Sequence, residues 1–388
     1  MKETGDNFSA PVKNGQTLNF YGHAVAPEIP VIRRDTDELI QTYQKYVPGS
    51  RAASNYLLSM SGECQELIKQ LLLRPAQRER YNIEFFSGTS RAMEVALARA
   101  GGRPAKIILS PFEHPSVVDV ARWFAFINGA EVHQVQFEPG DYFRQWQDQE
   151  DKLIEEVLRE ASRDSRSKVL VLSEVSYATG GVIPVWKVVQ RLRRQPQGST
   201  LKIILDGAHA AGNGQAPHVL DECDSYVFSA HKWLLAPEPC GVVLSQHEGK
   251  AVPYDAWNKT LPATTANGNM MAGLLSSLRL IEELKLERLW AHSRELRKRF
   301  IHRMRCKFSI VGEDTGIESS LMLAVCPRPE KRWKYEAVEL REYLQRNDVH
   351  VLVMSIDPHT PWIRVAFPCF IEVQHVNILC SVLEEAIS

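Results

Sequence analysis

Between residues 82 and 246 the chain alternates short apolar runs with segments whose apolar positions recur at helical spacing. The runs 82–86, 106–110, 131–137, 168–175, 202–208, 225–230 and 241–245 predict about seven strands, and helices are expected at 91–100, 116–127, 152–162 and 185–194. Several of these strands, such as Lys202-Ile-Ile-Leu-Asp206, are apolar at successive rather than alternate positions, as in strands covered on both faces. Their alternation with helices predicts βαβ units around a mostly parallel sheet, an α/β large domain. The pattern over 269–300 sets Met271, Leu274, Leu275, Leu278, Ile281 and Leu289 on one helical face and predicts one connecting helix. Strands at 321–326, 349–354 and 362–367, with helices at 335–345 and 372–386, predict a small C-terminal α+β domain. The expected division is an N-terminal segment at 1–40, a large domain at 41–268, the connecting helix at 269–300 and the small domain at 301–388.

Composition narrows the functional class. Lys and Arg number 46 against 47 Asp and Glu, a net charge of −1, so there is no cationic excess of the kind that binds a polynucleotide. No stretch approaches the roughly 18 apolar residues of a membrane span. The polar start, with Lys2, Glu3, Asp6 and Lys13, lacks the apolar run of a secretory signal, so a cytoplasmic location is expected. The seven cysteines are scattered without a CxxC pair, which predicts neither a disulfide framework nor a clustered metal site.

Three segments carry the chemistry. The run 225–230 ends in Ser229-Ala-His-Lys232, which puts a lysine at the mouth of a buried strand, where burial lowers its pKa as an imine-forming amine requires. The run Lys202-Ile-Ile-Leu-Asp206 ends in a carboxylate at a strand's C-terminal end, where open α/β sheets bind ligands; taken alone, such an Asp is as readily a turn cap. Lys232 follows 26 residues later, about one connection and one strand on, so the two can converge on one ligand. A carboxylate for the ring nitrogen and a lysine for the aldehyde are the two groups that pyridoxal phosphate needs. Third, Ser87-Gly-Thr-Ser90 follows the first sheet strand and opens a helix. Gly88, Thr89 and Ser90 are thus candidates for an anion cradle, or simply a helix cap.

With Phe112-Glu-His-Pro115, these motifs stand in an order that resembles the fold-type-I pyridoxal-phosphate enzymes of aminotransferase class V. That group contains cysteine desulfurases, kynureninase and isopenicillin N epimerase-like proteins. The resemblance implies a fold-type-I transferase fold, with a seven-stranded, mostly parallel sheet and a small C-terminal domain, and pyridoxal 5'-phosphate as cofactor. It implies that Lys232 forms the imine, Asp206 pairs with the ring nitrogen and His114 stacks on the ring. Thr89, Ser90, Ser229 and His231 would hold the phosphate, and His209 would lie near the phenolic oxygen. Tyr177, in Ser176-Tyr-Ala-Thr-Gly180, takes a position where an Asn is common. Thr265 resembles a residue that reaches the partner's phosphate, which implies a homodimer. Arg364, in Trp362-Ile-Arg-Val-Ala-Phe367, resembles the fork that binds the substrate α-carboxylate, the alternative being an exposed strand arginine. The turn Ala236-Pro-Glu-Pro-Cys-Gly241 departs from the family's Gly-Pro-x-Gly.

The expected substrate is an α-amino acid, and the expected reaction is aminotransfer. Elimination, replacement or cyclisation at the β or γ carbon is the alternative, ahead of kynureninase-like cleavage and racemisation. Residues 347–361 contain no cysteine, and Cys326 sits in an apolar run, so the sequence argues against cysteine desulfuration. A non-enzymatic cofactor sensor is disfavoured because residues 1–81 show no basic helix-turn-helix pattern.

Overall fold

A computed structural model of the chain describes residues 18–21, 29–101, 104–137, 147–163, 166–213, 220–237, 239–246, 267–311, 320–355 and 361–388. In chain order the elements begin with β1 (Leu18–Asn19), α1 (Pro30–Gln44), α2 (Arg51–Leu72), β2 (Tyr81–Phe86), α3 (Thr89–Gly101), β3 (Lys106–Leu109) and α4 (Pro115–Asn128). Then follow β4 (Glu131–Gln134), α5 (Gln147–Ser162), β5 (Lys168–Ser173), α6 (Val185–Arg193), β6 (Lys202–Asp206), β7 (Ser225–Ser229) and β8 (Gly241–Gln246). The rest comprises α7 (Gly268–Leu284), α8 (Leu286–Met304), β9 (Phe308–Val311), β10 (Met322–Pro327), α9 (Ala337–Arg346), β11 (Val349–His350), β12 (Leu352–Ser355), β13 (Pro361–Ala366) and α10 (Val373–Glu385).

The large sheet has the order β2-β8-β7-β6-β5-β3-β4. The pairs β7–β6, β6–β5, β5–β3 and β3–β4 are parallel, and only β8 runs against its neighbours. Successive side chains of a strand point to opposite faces, and here both faces are covered. Leu170, Leu172, Ile203 and Leu205 enter one core, while Val169, Val171 and Ile204 enter the other with Ala92, Met93, Ala96 and Leu97 of α3. Each such side chain, fully buried, stabilises by about 1.5–3 kcal/mol, which explains why the runs are apolar at successive positions. A second, antiparallel sheet, β12-β13-β10-β9, carries its own core with α8, α9 and α10.

The strands start within a residue of the expected positions, but β4, β5 and β6 end at Gln134, Ser173 and Asp206, earlier than 131–137, 168–175 and 202–208 imply. The apolar pattern outlasts the ladder because Val135, Phe137 and Val175 stay buried after the backbone has turned out of the sheet. The single connecting helix expected over 269–300 is instead two, α7 and α8. Lys285 separates them with φ of 66°, which an α-helix of L-residues does not sustain.

The N-terminal part folds beyond what the pattern showed. Ser50 caps α2 by accepting from Ala53 N at 3.1 Å, and Met60, Cys64, Leu67 and Ile68 of that helix are buried. β1 pairs in parallel with β11, and Phe20 donates to the His350 carbonyl while accepting from Ala366 N, both at 2.9 Å. Residues 18–20 thereby lie along the small domain. Among the described residues no helix is long and apolar enough to cross a membrane.

Candidate active site

The candidate residues sit where chain leaves the C-terminal ends of neighbouring strands, the location at which open α/β sheets bind ligands. Gly88 and Thr89 follow β2, His114 follows β3, Tyr177 follows β5, Asp206 ends β6 with His209 just beyond it, and Ser229 ends β7 with Lys232 three residues on. Arg364 is brought to them by β13 of the other sheet.

The turn after β7 is fixed by its backbone: Ala230 N donates to the Cys240 carbonyl at 2.9 Å and Ala236 N to the Ala230 carbonyl at 3.1 Å. It holds Lys232 so that its Nζ lies 3.0 Å from His209 Nε2. Burial lowers the pKa of the amine to about 8; the Arg364 charge acts in the same direction and Asp206 against it. A lysine so placed is a nucleophile near neutral pH. Asp206 is buried, and its Oδ1 accepts from Ala208 N at 2.8 Å, the turn bond that a strand-end Asp makes without any ligand. Burial raises its carboxyl, while that bond and the Lys232 charge oppose the rise.

Thr89 Oγ1 and Ser229 Oγ meet at 2.5 Å, at the first turn of α3. A side chain at Gly88 would find open space, whereas one at Gly241 would come 2.3 Å from the Gly88 carbonyl, so β8 presses this turn into place because residue 241 is glycine. Two hydroxyls at a helix N-terminus, beside a turn with open space, are the donor set of a phosphate cradle. Together with a buried low-pKa lysine and a strand-end carboxylate, they fit pyridoxal phosphate. Ser90 is exposed one residue further along. His231 is committed to the turn, its Nδ1 accepting from Cys240 N at 3.1 Å.

His114 is the N-cap of α4: its Nδ1 accepts from Ser116 N at 3.1 Å and lies 2.8 Å from Ser116 Oγ, which fixes the ring plane. The ring meets that of Tyr177 edge-on, centroids 4.9 Å apart. Burial, then the Lys232 and Arg364 charges, lower its pKa to about 4, so it is neutral at physiological pH.

Arg364 is 0% exposed, which removes the reading of it as a surface strand arginine. Its guanidinium donates to the Tyr177 and Tyr21 carbonyls, while Nε has no hydrogen-bond partner among the described residues. Burial lowers its pKa to about 10, and its charge acts on Lys232, His114 and Tyr177. Thr265 and Glu238 lie outside the described residues. Two buried acids beside Ser173, Glu113 and Glu174, have no role in the sequence reading. Glu113 lies against Ser110 and Ser173, and Glu174 accepts from Tyr226 Oη at 3.0 Å. The signal for Glu113 was its position, an acid between Phe112 and His114 directly after an apolar strand.

The family description Aminotransferase class-V matches residues 26–315. A cysteine desulfurase of Synechococcus elongatus is 23% identical over 309 residues, covering 73% of this chain and 46% of that protein. The chain spans about half the length of the curated relatives it matches. Among solved structures, the Escherichia coli cysteine desulfurase CsdA matches with a TM-score of 0.72 and 19% identity, over 99% of this chain and 98% of that one. The cystine C-S lyase C-DES, in complex with its product cysteine persulfide, matches with a TM-score of 0.76 and 16% identity, over 96% and 98%. A C-DES variant with glycine covalently linked to its PLP cofactor gives the same score.

These likenesses overturn the expectation of an aminotransferase and the argument against cysteine desulfuration. That argument rested on the missing thiol at 347–361. The thiol that attacks the sulfur can belong to another molecule, so its absence from 347–361 does not decide the reaction. By the match over residues 26–315 and the fold it shares with these structures, the chain belongs to aminotransferase class V, a family of pyridoxal-phosphate enzymes.

Proposed function

We propose that this protein cleaves the carbon–sulfur bond of cysteine or a small cysteine derivative. The observation that carries the reading is the buried Lys232 amine, 3.0 Å from His209 and under the opposing charges of Asp206 and Arg364. The substrate class is supported by relatives that bear the name cysteine desulfurase.

When bound, the cofactor supplies the electron sink that makes the bonds at the substrate's α and β carbons labile. Lys232 would hold the cofactor at its aldehyde carbon, and an amine with a pKa of about 8 suits taking and returning a proton at the substrate's α carbon. Asp206 would pair with the ring nitrogen and hold its proton. Neutral His114 supports the ring face, with Tyr177 against its edge. Thr89, Ser229, Ser90, Gly88 and His231 form the phosphate end, and His209 stands at the lysine end. Arg364 anchors the α-carboxylate through N–H groups not used on the two carbonyls.

Cysteine plus an acceptor thiol gives alanine plus the acceptor's persulfide: one C–S bond breaks, one S–S bond forms, and no separate oxidant is needed. Cys240 and Cys369 are poor acceptors, because burial pushes both thiols up to about 12. The acceptor in this proposal is a thiol brought from outside. A homodimer, with Thr265 reaching the partner's site, and a cytosolic setting complete the proposal; the seven unbridged cysteines accord with a reducing compartment.

The test is incubation of the PLP-loaded protein with L-cysteine and dithiothreitol. Alanine and sulfide in equal amounts are expected. Pyruvate, ammonia and sulfide would assign the cleavage to elimination rather than to transfer onto a thiol; a sulfur-retaining keto acid with the cofactor left in its amino form, or no release of sulfur at all, overturns the proposal.

A further inference from the structure

Two carboxyl groups are buried side by side at the C-terminal edge of the sheet, and only Asp206 has a role in the reading above. The other, Glu113, is 3% exposed. Its Oε1 accepts from Ser110 Oγ at 2.5 Å and from Ser173 N at 2.7 Å, and its Oε2 meets Ser173 Oγ at 2.9 Å. Ser173 is the residue opposite Asp206 in the β5–β6 ladder, and the next amide, Glu174 N, donates to the Asp206 carbonyl at 3.0 Å. The Glu113 side chain thus reaches from the turn after β3 and grips the rung on which Asp206 stands. Its chain neighbour is His114, whose ring is fixed as the cap of α4.

The electrostatics of the pair are unequal. Among the described residues Glu113 forms no ion pair, and after burial the strongest influence on it is the Asp206 charge, the rest being the Ser110 and Ser173 donors. Asp206, in contrast, feels the Lys232 charge. Another buried acid, Glu174 on the residue after Ser173, is bonded to Tyr226, and His114 is neutral. Two carboxyls in one low-dielectric pocket do not both ionise, and the one without a cation keeps the proton. Burial and Asp206 accordingly push Glu113 up to about 8. A hydroxyl accepts as readily as it donates, so a proton on Oε2 reverses the Ser173 contact without moving a heavy atom.

We propose that Glu113 is a positioning residue that carries the proton of this pair: its neutral carboxyl locks Ser173 beside Asp206 and leaves the single negative charge on Asp206, for the ring nitrogen of the cofactor. The inference rests on the proposed pairing of Asp206 with that nitrogen.

The experiment compares full-length wild type, Glu113→Gln, Glu113→Ala and Asp206→Asn by infrared spectroscopy and by PLP titration. The wild type is expected to show the C=O stretch of a protonated carboxyl at neutral pH, fading on alkaline titration. Glu113→Gln loses that band yet, being neutral and nearly isosteric, binds PLP within about threefold of wild type, whereas Glu113→Ala weakens binding about tenfold or more. Circular dichroism confirms that each variant is folded. A band that survives in Glu113→Gln overturns the proposal by placing the proton elsewhere; in Asp206→Asn, which lacks the charge that raises Glu113, the band should fade at lower pH than in wild type, and an unchanged fading pH overturns the coupling of the pair. Weak PLP binding by Glu113→Gln overturns it too, since a neutral group would not suffice. If Asp206→Asn leaves PLP affinity and the visible spectrum unchanged, the Asp206 pairing itself has failed, a result that is legible whatever the Glu113 variants do.

Discussion

Lys232 Nζ lies 3.0 Å from His209 Nε2, although the two residues belong to turns after different strands, β7 and β6. Parallel neighbours in the sheet deliver both turns to the same edge, so a lysine whose amine is largely buried meets a polar partner there rather than water. Because burial favours the neutral amine, its pKa falls to about 8. Only the neutral amine attacks an aldehyde, so the rate at which the apoprotein captures PLP should rise with pH up to about 8 and then level. The same shift carries a linkage of definite sign. Between the folded value near 8 and the ordinary lysine value of 10.5 the unfolded chain binds more protons, so this group's contribution to apoprotein stability grows as pH rises through that window. Stopped-flow absorbance on wild type and Lys232→Ala tests the first statement; a rate independent of pH from 6 to 9 would count against a buried, shifted amine.

Arg364 makes a different prediction, because its guanidinium spans the two parts of the molecule by donating to the Tyr177 and Tyr21 carbonyls. Arg364→Met keeps much of the volume but removes both donors and the charge. Losing a charge-assisted contact to the substrate carboxylate should lower kcat/KM by about a hundredfold, and the orphaned carbonyls should cost about 1–3 kcal/mol of stability each. Steady-state kinetics with guanidinium denaturation separates the two effects. Unchanged kcat/KM in a destabilised variant would make Arg364 a structural clamp only.

How far the sequence displayed all this depends on the range of the interaction. Strands such as β5 and β6 are legible because burial on both faces leaves an uninterrupted apolar run, and Asp206 and Lys232 stand out as polar residues where such runs stop. The break at Lys285 is hidden because positive φ at a lysine has no compositional signal, and the apolar stripe continues on both sides of it. Helices α1 and α2 were passed over because their exposed faces dilute the periodicity. The contacts of Glu113 and Arg364 are hidden for another reason. Their partners, Ser173 and Tyr21, lie 60 and 343 residues away, and local pattern carries no information about such pairs.

Thr89 and Ser229 supply the prediction for the phosphate end. Their hydroxyls are 2.5 Å apart and come from opposite sides of β8 in the sheet. Removing either should weaken PLP binding by about fivefold to tenfold, in line with about 1–1.5 kcal/mol per hydrogen bond, with Thr89→Val and Ser229→Ala less than additive because the two share one ligand group. Fluorescence titration of apoprotein with PLP, and with pyridoxal lacking the phosphate, checks it. The variants should bind pyridoxal as wild type does, and equal losses for both ligands would remove these hydroxyls from the phosphate site.

Gly180 joins the two sheets at one point and tests how far the site depends on that junction. It has φ of 70°, its carbonyl accepts from Ser320 Oγ at 2.6 Å, and an added Cβ would come 2.5 Å from Met322 Cβ. Gly180→Ala therefore meets both backbone strain and a clash with a β10 residue that cannot swing aside, together costing about 2–4 kcal/mol. The loop concerned runs from Ser176 to Gly180 and presents the Tyr177 carbonyl to Arg364, so displacing Met322 shifts the register partner of Ala366 on the strand that carries Arg364. The expected outcome is a lower melting temperature accompanied by a raised KM for the amino acid, with PLP affinity within about twofold of wild type, well inside the tenfold that about 1.4 kcal/mol represents. Thermal denaturation and substrate titration decide it: a loss of PLP affinity equal to the loss of substrate affinity would mean that the junction supports the whole site, rather than the carboxylate end alone.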